Sequence, residues 1–159
     1  MAVWSDRALT QLRAASGRNG GARRAVVQFL GEQGCCVSAQ EIHDGLRAGR
    51  SPVGLASVYR ALDGLAELGL VQRVDLGDGV ARFEPAHSGG EHHHHLVCDD
   101  CGKVEPFEDP ALENALARVA GGRGYVAGGH EVLVRGACGD CRPADGPARG
   151  RSVSAGSPG

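Results

Sequence analysis

Apolar residues in the first half of the chain recur at helical spacing and then give way to two short extended runs. Ala8 to Ala15 and Arg23 to Gln33 are helix-like, the second with Val26, Val27 and Leu30 at core spacing. Ser38-x-x-Glu41 is a capping box, in which the Ser oxygen and the Glu carboxylate each take a free backbone N–H, and it opens a third helix carrying Ile42 and Leu46. A fourth helix is predicted from about Val53 to Leu68, with Leu55, Val58, Tyr59, Leu62, Leu65 and Ala66 on one stripe and Ser57, Arg60 and Gly64 opposite. Leu70 to Leu76 and Val80 to Pro85 then flank Gly77-Asp78-Gly79, a hairpin signal. Short helices followed by a β-hairpin read as a winged helix-turn-helix.

The pattern changes after residue 86. His92 to Cys98 and Val104 to Phe107 read as strands, and Asp109-Pro110 is a helix start ahead of Leu112, Leu116 and Val119. A last strand lies within Tyr125 to Arg135, giving the order β, β, α, β. The predicted fold class is therefore α+β: a winged helix-turn-helix module over 1–86, a hinge over 87–91, a small α/β module over 92–141, and a disordered Pro/Gly/Ser/Ala/Arg-rich tail over 142–159. The second module, at about fifty residues, is too small to fold on apolar burial alone.

Composition sharpens that last point. Hydrophobic residues make up 42% of the 159 positions, enough for a folded chain, but aromatics are only 4% and glycines number 26, so a staple besides packing is required. The formal net charge of -2 excludes a uniformly basic nucleic-acid coat and confines any DNA contact to a local patch. No apolar run approaches the roughly 20 residues of a membrane span, so a soluble, cytoplasmic protein with no membrane partner is expected. In a reducing compartment the six cysteines are better metal ligands than disulfides.

Cys98-x-x-Cys101 and Cys138-x-x-Cys141 are two matched pairs that suit a structural zinc site, tying the start of the second module to its end. The run His92-His93-His94-His95 leads straight into Leu96-Val97-Cys98. On a strand, His92 and His94 face one way and His93 and His95 the other, so one segment feeds two metal sites. Further donors available are Glu113 and His130 in the second module and His87 and Glu84 at the hinge. Ser57 and Arg60, on the outer face of the fourth helix, suit a major-groove contact, while periodicity leaves Tyr59 as much core as contact. Arg18, Arg23, Arg24 and Arg82 are phosphate candidates. Cys35 and Cys36 read as small buried hydrophobes.

These motifs resemble the ferric uptake regulator family of bacterial metal-dependent repressors over roughly residues 20 to 141, and among its members the zinc uptake regulators most. Gly54 to Leu62, with Val58-Tyr59-Arg60 at its centre, is similar to the family's recognition helix, and the resemblance implies DNA contacts from Tyr59 and Arg60. His92 to Lys103 is similar to the family's His-rich strand and first zinc pair. The resemblance implies one metal site from His92, His94, Glu113 and His130, and a regulatory hinge site from His93 and His95 completed by His87 or Glu84. It also marks two departures: Cys36 stands where iron sensors place a His, and Gln72 where some zinc sensors place an Asp.

The function this implies is a homodimeric, non-enzymatic repressor of metal-uptake genes. It reads a pseudo-palindromic double-stranded operator and is switched by metal at the hinge, with structural Zn2+ and regulatory Zn2+ favoured by the imidazole-rich donors. Fe2+ or Mn2+ at the regulatory site, in an iron- or peroxide-responsive regulator, is the alternative. A zinc hydrolase on His92, His94, His130 and Glu113 is disfavoured because no nucleophile or His-Glu-x-x-His motif is present.

Overall fold

The computed structural model describes residues 2–16, 20–86 and 93–142. Five helices and six strands follow in order: α1 (Ala2–Ser16), α2 (Gly21–Glu32), β1 (Val37–Ser38), α3 (Ala39–Ala48), α4 (Leu55–Glu67), β2 (Val71–Asp75), β3 (Ala81–Pro85), β4 (His94–Cys98), β5 (Val104–Phe107), α5 (Pro110–Gly121) and β6 (Leu133–Gly136). His87, His92, Arg18, the hinge at 87–91 and the tail from 143 onward lie outside the described residues.

The first part packs α1 to α4 over a three-stranded sheet of order β1-β3-β2. Its core gathers Trp4, Ala8 and Leu12 from α1, Val26, Val27 and Leu30 from α2, Ile42 and Leu46 from α3, and Val58, Ala61, Leu62 and Leu65 from α4. α1 begins at Ala2, earlier than its periodicity from Ala8 predicts, because Trp4 extends the buried i, i+4, i+8 stripe by one turn and its indole N–H donates to the Leu70 carbonyl at 2.9 Å. The capping box of α3 forms in full: Ser38 Oγ accepts from the Glu41 amide at 3.2 Å and Glu41 Oε2 accepts from the Ser38 amide at 2.7 Å. The stripe assigned to α4 shifts, however. Tyr59 is 48% exposed and Ala66 lies outside, while Ala61 takes the buried place. β2 and β3 form the expected antiparallel hairpin, its turn relying on Gly77 and Gly79 at φ 76° each. The two-residue strand β1 has no signature in the sequence; its residues pair Val37 with Phe83 and Ser38 with Arg82.

The second part is a sheet of order β5-β4-β6, in which β4 runs antiparallel to β5 and parallel to β6. A parallel neighbour needs a crossover, and the chain between β5 and β6 that contains α5 supplies it. α5 starts at the Asp109 cap, whose Oδ1 accepts from the Ala111 and Leu112 amides, yet none of its residues is buried. The sheets meet through Cys36, Val74 and Leu76 of the first part and Val97 of the second, with Cys35 and Val104 packed alongside. An Arg135 N–H also donates to the Leu76 carbonyl. Among the described residues no helix is long and apolar enough to cross a membrane.

Candidate metal centres and nucleic-acid interface

Parallel pairing of β4 with β6 sets Cys98 opposite Gly136, and so carries Cys138 and Cys141 to the turn holding Cys101. That turn closes through the Gly102 amide onto the Cys98 carbonyl at 3.0 Å, with Gly102 at φ 74°. All four sulfurs lie within 4.8 Å of one another as free thiols. Cys101 Sγ and Cys138 Sγ are 3.8 Å apart. Thiolates at about 2.3 Å from a tetrahedral zinc are separated by about 3.8 Å. The Cys138 amide donates to Cys98 Sγ at 3.3 Å, and this donor, with the Cys101 amide, draws the Cys98 thiol down to about 6. Spacing and a thiol poised to ionise both fit a structural zinc.

The His-rich segment divides its side chains between two clusters. His94 Nε2 lies 2.7 Å from Glu113 Oε1, and His130 Nε2 lies 3.0 Å from Glu113 Oε2, so strand, helix and the segment before β6 converge on one carboxylate. The cross-strand neighbour Phe107 packs beside the His94 ring at 5.3 Å between centroids. Nothing is described for His92, the fourth residue expected there.

His93 and His95 turn the other way, their rings in edge contact at 4.9 Å, and meet Glu84 of β3. Glu84 is 1% exposed, with Oε2 at 2.9 Å from His93 Nε2 and 3.4 Å from His95 Nε2, while Gln72 Nε2 donates to Oε1. Burial opposes its charge, but His95, Gln72 and His93 outweigh burial and hold the carboxyl below its usual range. His95 is pushed up to about 9, by its contact with Cys35 first and with Glu84 second. Its buried Nε2 meets Glu84 Oε2 only at 3.4 Å, outside hydrogen-bond geometry, which fits a nitrogen able to turn to a cation. Glu84, His93 and His95 are therefore brought together from both parts of the chain; His87 is outside the described residues.

Two sulfurs add to this cluster, and one of them, Cys36, stands where the family resemblance marks a His in iron sensors. Cys36 is buried, as expected, whereas Cys35 is only half-buried, and both sulfurs lie close to Glu84 and His95. Their hydrogen bond draws the Cys35 thiol down and drives the Cys36 thiol up. For Cys36 the signal was its place where iron sensors carry a His; for Cys35, only the β1–β3 pairing reveals what its position touches.

On α4, Tyr59 and Arg60 are exposed and Ser57 is half-buried, with Arg60 Nη2 donating to Ser57 Oγ at 2.8 Å. Arg24 is exposed on α2 and Arg23 half-buried. Arg82, a phosphate candidate, instead forms a two-pronged pair with Asp78 at 2.9 and 2.8 Å across the wing.

The family model described as Ferric uptake regulator family matches residues 15–135. The ferric uptake regulation protein of Bacillus subtilis is 33% identical over 138 residues, spanning 86% of this chain and 93% of that protein. The solved Vibrio cholerae ferric uptake regulator superposes with a TM-score of 0.70 at 31% identity, covering 80% of this chain and 98% of that one. The Helicobacter pylori ferric uptake regulator, described as having three functional metal binding sites, gives a TM-score of 0.77 at 27% identity over 89% of this chain and 96% of that one. With a family match across most of its length and a fold shared with solved members, the chain belongs to the ferric uptake regulator family of metal-responsive regulators.

Proposed function

We propose that this protein is a homodimeric repressor that binds operator DNA when zinc occupies the hinge cluster of Glu84, His93 and His95. The observation that carries this reading is that the cluster draws Glu84 from the wing of the 1–86 module and two imidazoles from the 92–141 module. An ion held there is a Lewis acid whose effect is to tie the modules together. The residues do the rest: β3 fixes the carboxylate, Gln72 orients it, and β4 presents the two imidazoles. If the closed arrangement binds the ion about 100-fold better than the open one, DNA binding gains about 2.7 kcal/mol of bias.

Zinc is supported over iron or manganese by imidazole content, since oxygen-richer sets suit Mn2+. The four-thiolate cluster is assigned structural zinc. His94, Glu113 and His130 form a further metal site, with His92 available to it. The dimer is supported by α5, which buries none of its apolar residues within the chain, and by Leu96 at 40% and Val134 at 46% exposure on adjacent strands. Two copies related by a twofold axis present paired α4 helices to successive major grooves of a pseudo-palindrome.

The reading is tested with a duplex selected from random sequence by the zinc-loaded protein. Anisotropy titrations at fixed salt are expected to show zinc-dependent binding, with Arg60→Ala costing about 1–3 kcal/mol of affinity for that duplex. Affinity unaffected by zinc while the hinge site fills would refute the switch, and Arg60→Ala binding at wild-type strength would remove α4 from the interface.

A further inference from the structure

The turn between α2 and β1 brings two sulfurs to the hinge. Val37 pairs with Phe83, so the preceding Cys35 and Cys36 come alongside Glu84, the next residue of β3. Both sulfurs, a Glu84 oxygen and a His95 ring nitrogen lie within 4.8 Å of one another. Cys35 Sγ and Cys36 Sγ are 3.9 Å apart, against 3.8 Å for Cys101 and Cys138 in the four-thiolate cluster. The site is built rather than superficial: Cys36 is 6% exposed, Glu84 1% and His95 7%, and the buried His95 Nε2 meets Glu84 at 3.4 Å without hydrogen-bond geometry.

Resting on the hinge-metal reading and sharpening it, we infer that Cys35 and Cys36 ligate the hinge ion together with His95 and Glu84, a set of two sulfurs, one imidazole and one carboxylate. This set revises the three-residue cluster: His93, 2.9 Å from Glu84 Oε2, holds the carboxylate from outside the ligand shell, and the preference for zinc then rests on sulfur more than on imidazole. Three ligands come from the winged-helix module and one, His95, from the α/β module, so a single imidazole–metal bond is the link between them. Adjacent cysteines ordinarily make a poor disulfide, but two thiolates on neighbouring residues can share one ion, and the 3.9 Å separation is that of a tetrahedral edge. On ligation each metal–sulfur bond replaces an S–H bond, and the protons held by the two thiols and His95 pass to solvent. Thiolate donors favour zinc and other ions of similar softness and discriminate against Mn2+.

The test uses the full-length dimer carrying zinc in its four-thiolate site, with one equivalent of cobalt(II) added per chain as the probe. A near-ultraviolet sulfur-to-cobalt charge-transfer band is expected, weakened in Cys35→Ser and in Cys36→Ser, absent in the double variant, and in His95→Ala retained only at higher cobalt concentration. Cobalt affinity should drop at least about tenfold in Cys35→Ser. Zinc content and the unfolding midpoint establish that the other site and the fold are intact; since Cys35 is only half-buried, its single variant decides the matter if the double variant does not fold. Cobalt that binds through Glu84 and His95, with visible ligand-field bands but no sulfur band, would overturn sulfur ligation and leave the hinge reading standing. Cobalt that binds nowhere outside the four-thiolate site would overturn both.

Discussion

Removing the four-thiolate zinc, by a strong chelator or by Cys138→Ser, is expected to unfold residues 93–142 while the winged-helix module keeps its structure. The reason is the distribution of apolar burial. Every member of the main core cluster lies between Trp4 and Phe83. In the second part the buried hydrophobic residues are Val97 and Cys98, and α5 contributes none. The proposed dimerisation would cover apolar surface without fixing the separation of the first and last strands of the module; a zinc held by the four thiolates would do that directly, by joining the turn after β4 to the chain after β6. Zinc-finger peptides of comparable donor set gain about 10–16 kcal/mol of apparent binding free energy, which exceeds what two buried side chains supply. Hydrogen exchange checks the outcome residue by residue. Amides of β4, β5 and β6 should lose protection on zinc removal while those of α2 and α4 retain it, and unchanged protection with the zinc demonstrably gone would show that packing alone holds the module.

Glu84→Ala should cancel the zinc stimulation of DNA binding, about 100-fold on the coupling used above, and should also destabilise the metal-free protein by about 1–3 kcal/mol. Both effects follow from burial. At 1% exposure, the carboxylate is the shared partner of Gln72, His93 and His95, and its loss takes the charged neighbour from the buried His95 and an acceptor from half-buried His93 and exposed Gln72. Glu84→Gln separates the two effects, because the amide retains size and one acceptor oxygen but not the charge that holds a divalent ion. The expected result is a nearly native urea midpoint with the zinc response still strongly reduced. A Glu84→Gln protein that responds to zinc like the wild type would show that the carboxylate is structural.

Legibility from sequence divides along the range of the interactions involved. The capping box at Ser38, the glycines of the wing turn and the Asp109-Pro110 helix start act over a few residues, and each is visible as a local spelling. Strand alternation is equally local, and it separates His94 from His93 and His95 before any tertiary contact is known. What escapes is set by pairing across the fold. The strand β1 is two residues long, too short for a pattern, yet it decides that Cys35 and Cys36 adjoin Glu84. Tyr59 sits at the margin of the α4 stripe, where a rotation of the helix against α2 and α3, invisible in a single periodicity, turns it outward. The apolar residues of α5 read as core, but among the described residues Leu112 and Leu116 are only half-buried and Val119 is exposed.

In the proposed switch, hinge metal and operator DNA are coupled through Glu84 and His95, and coupling of two binding equilibria is reciprocal. Zinc affinity of the hinge should therefore be measured by chelator competition with and without saturating operator duplex, on protein whose four-thiolate site is already filled. The account predicts tighter zinc binding in the presence of DNA, by the same factor by which zinc tightens DNA binding, and loss of that factor in His95→Ala. Identical zinc affinity with and without DNA would contradict it.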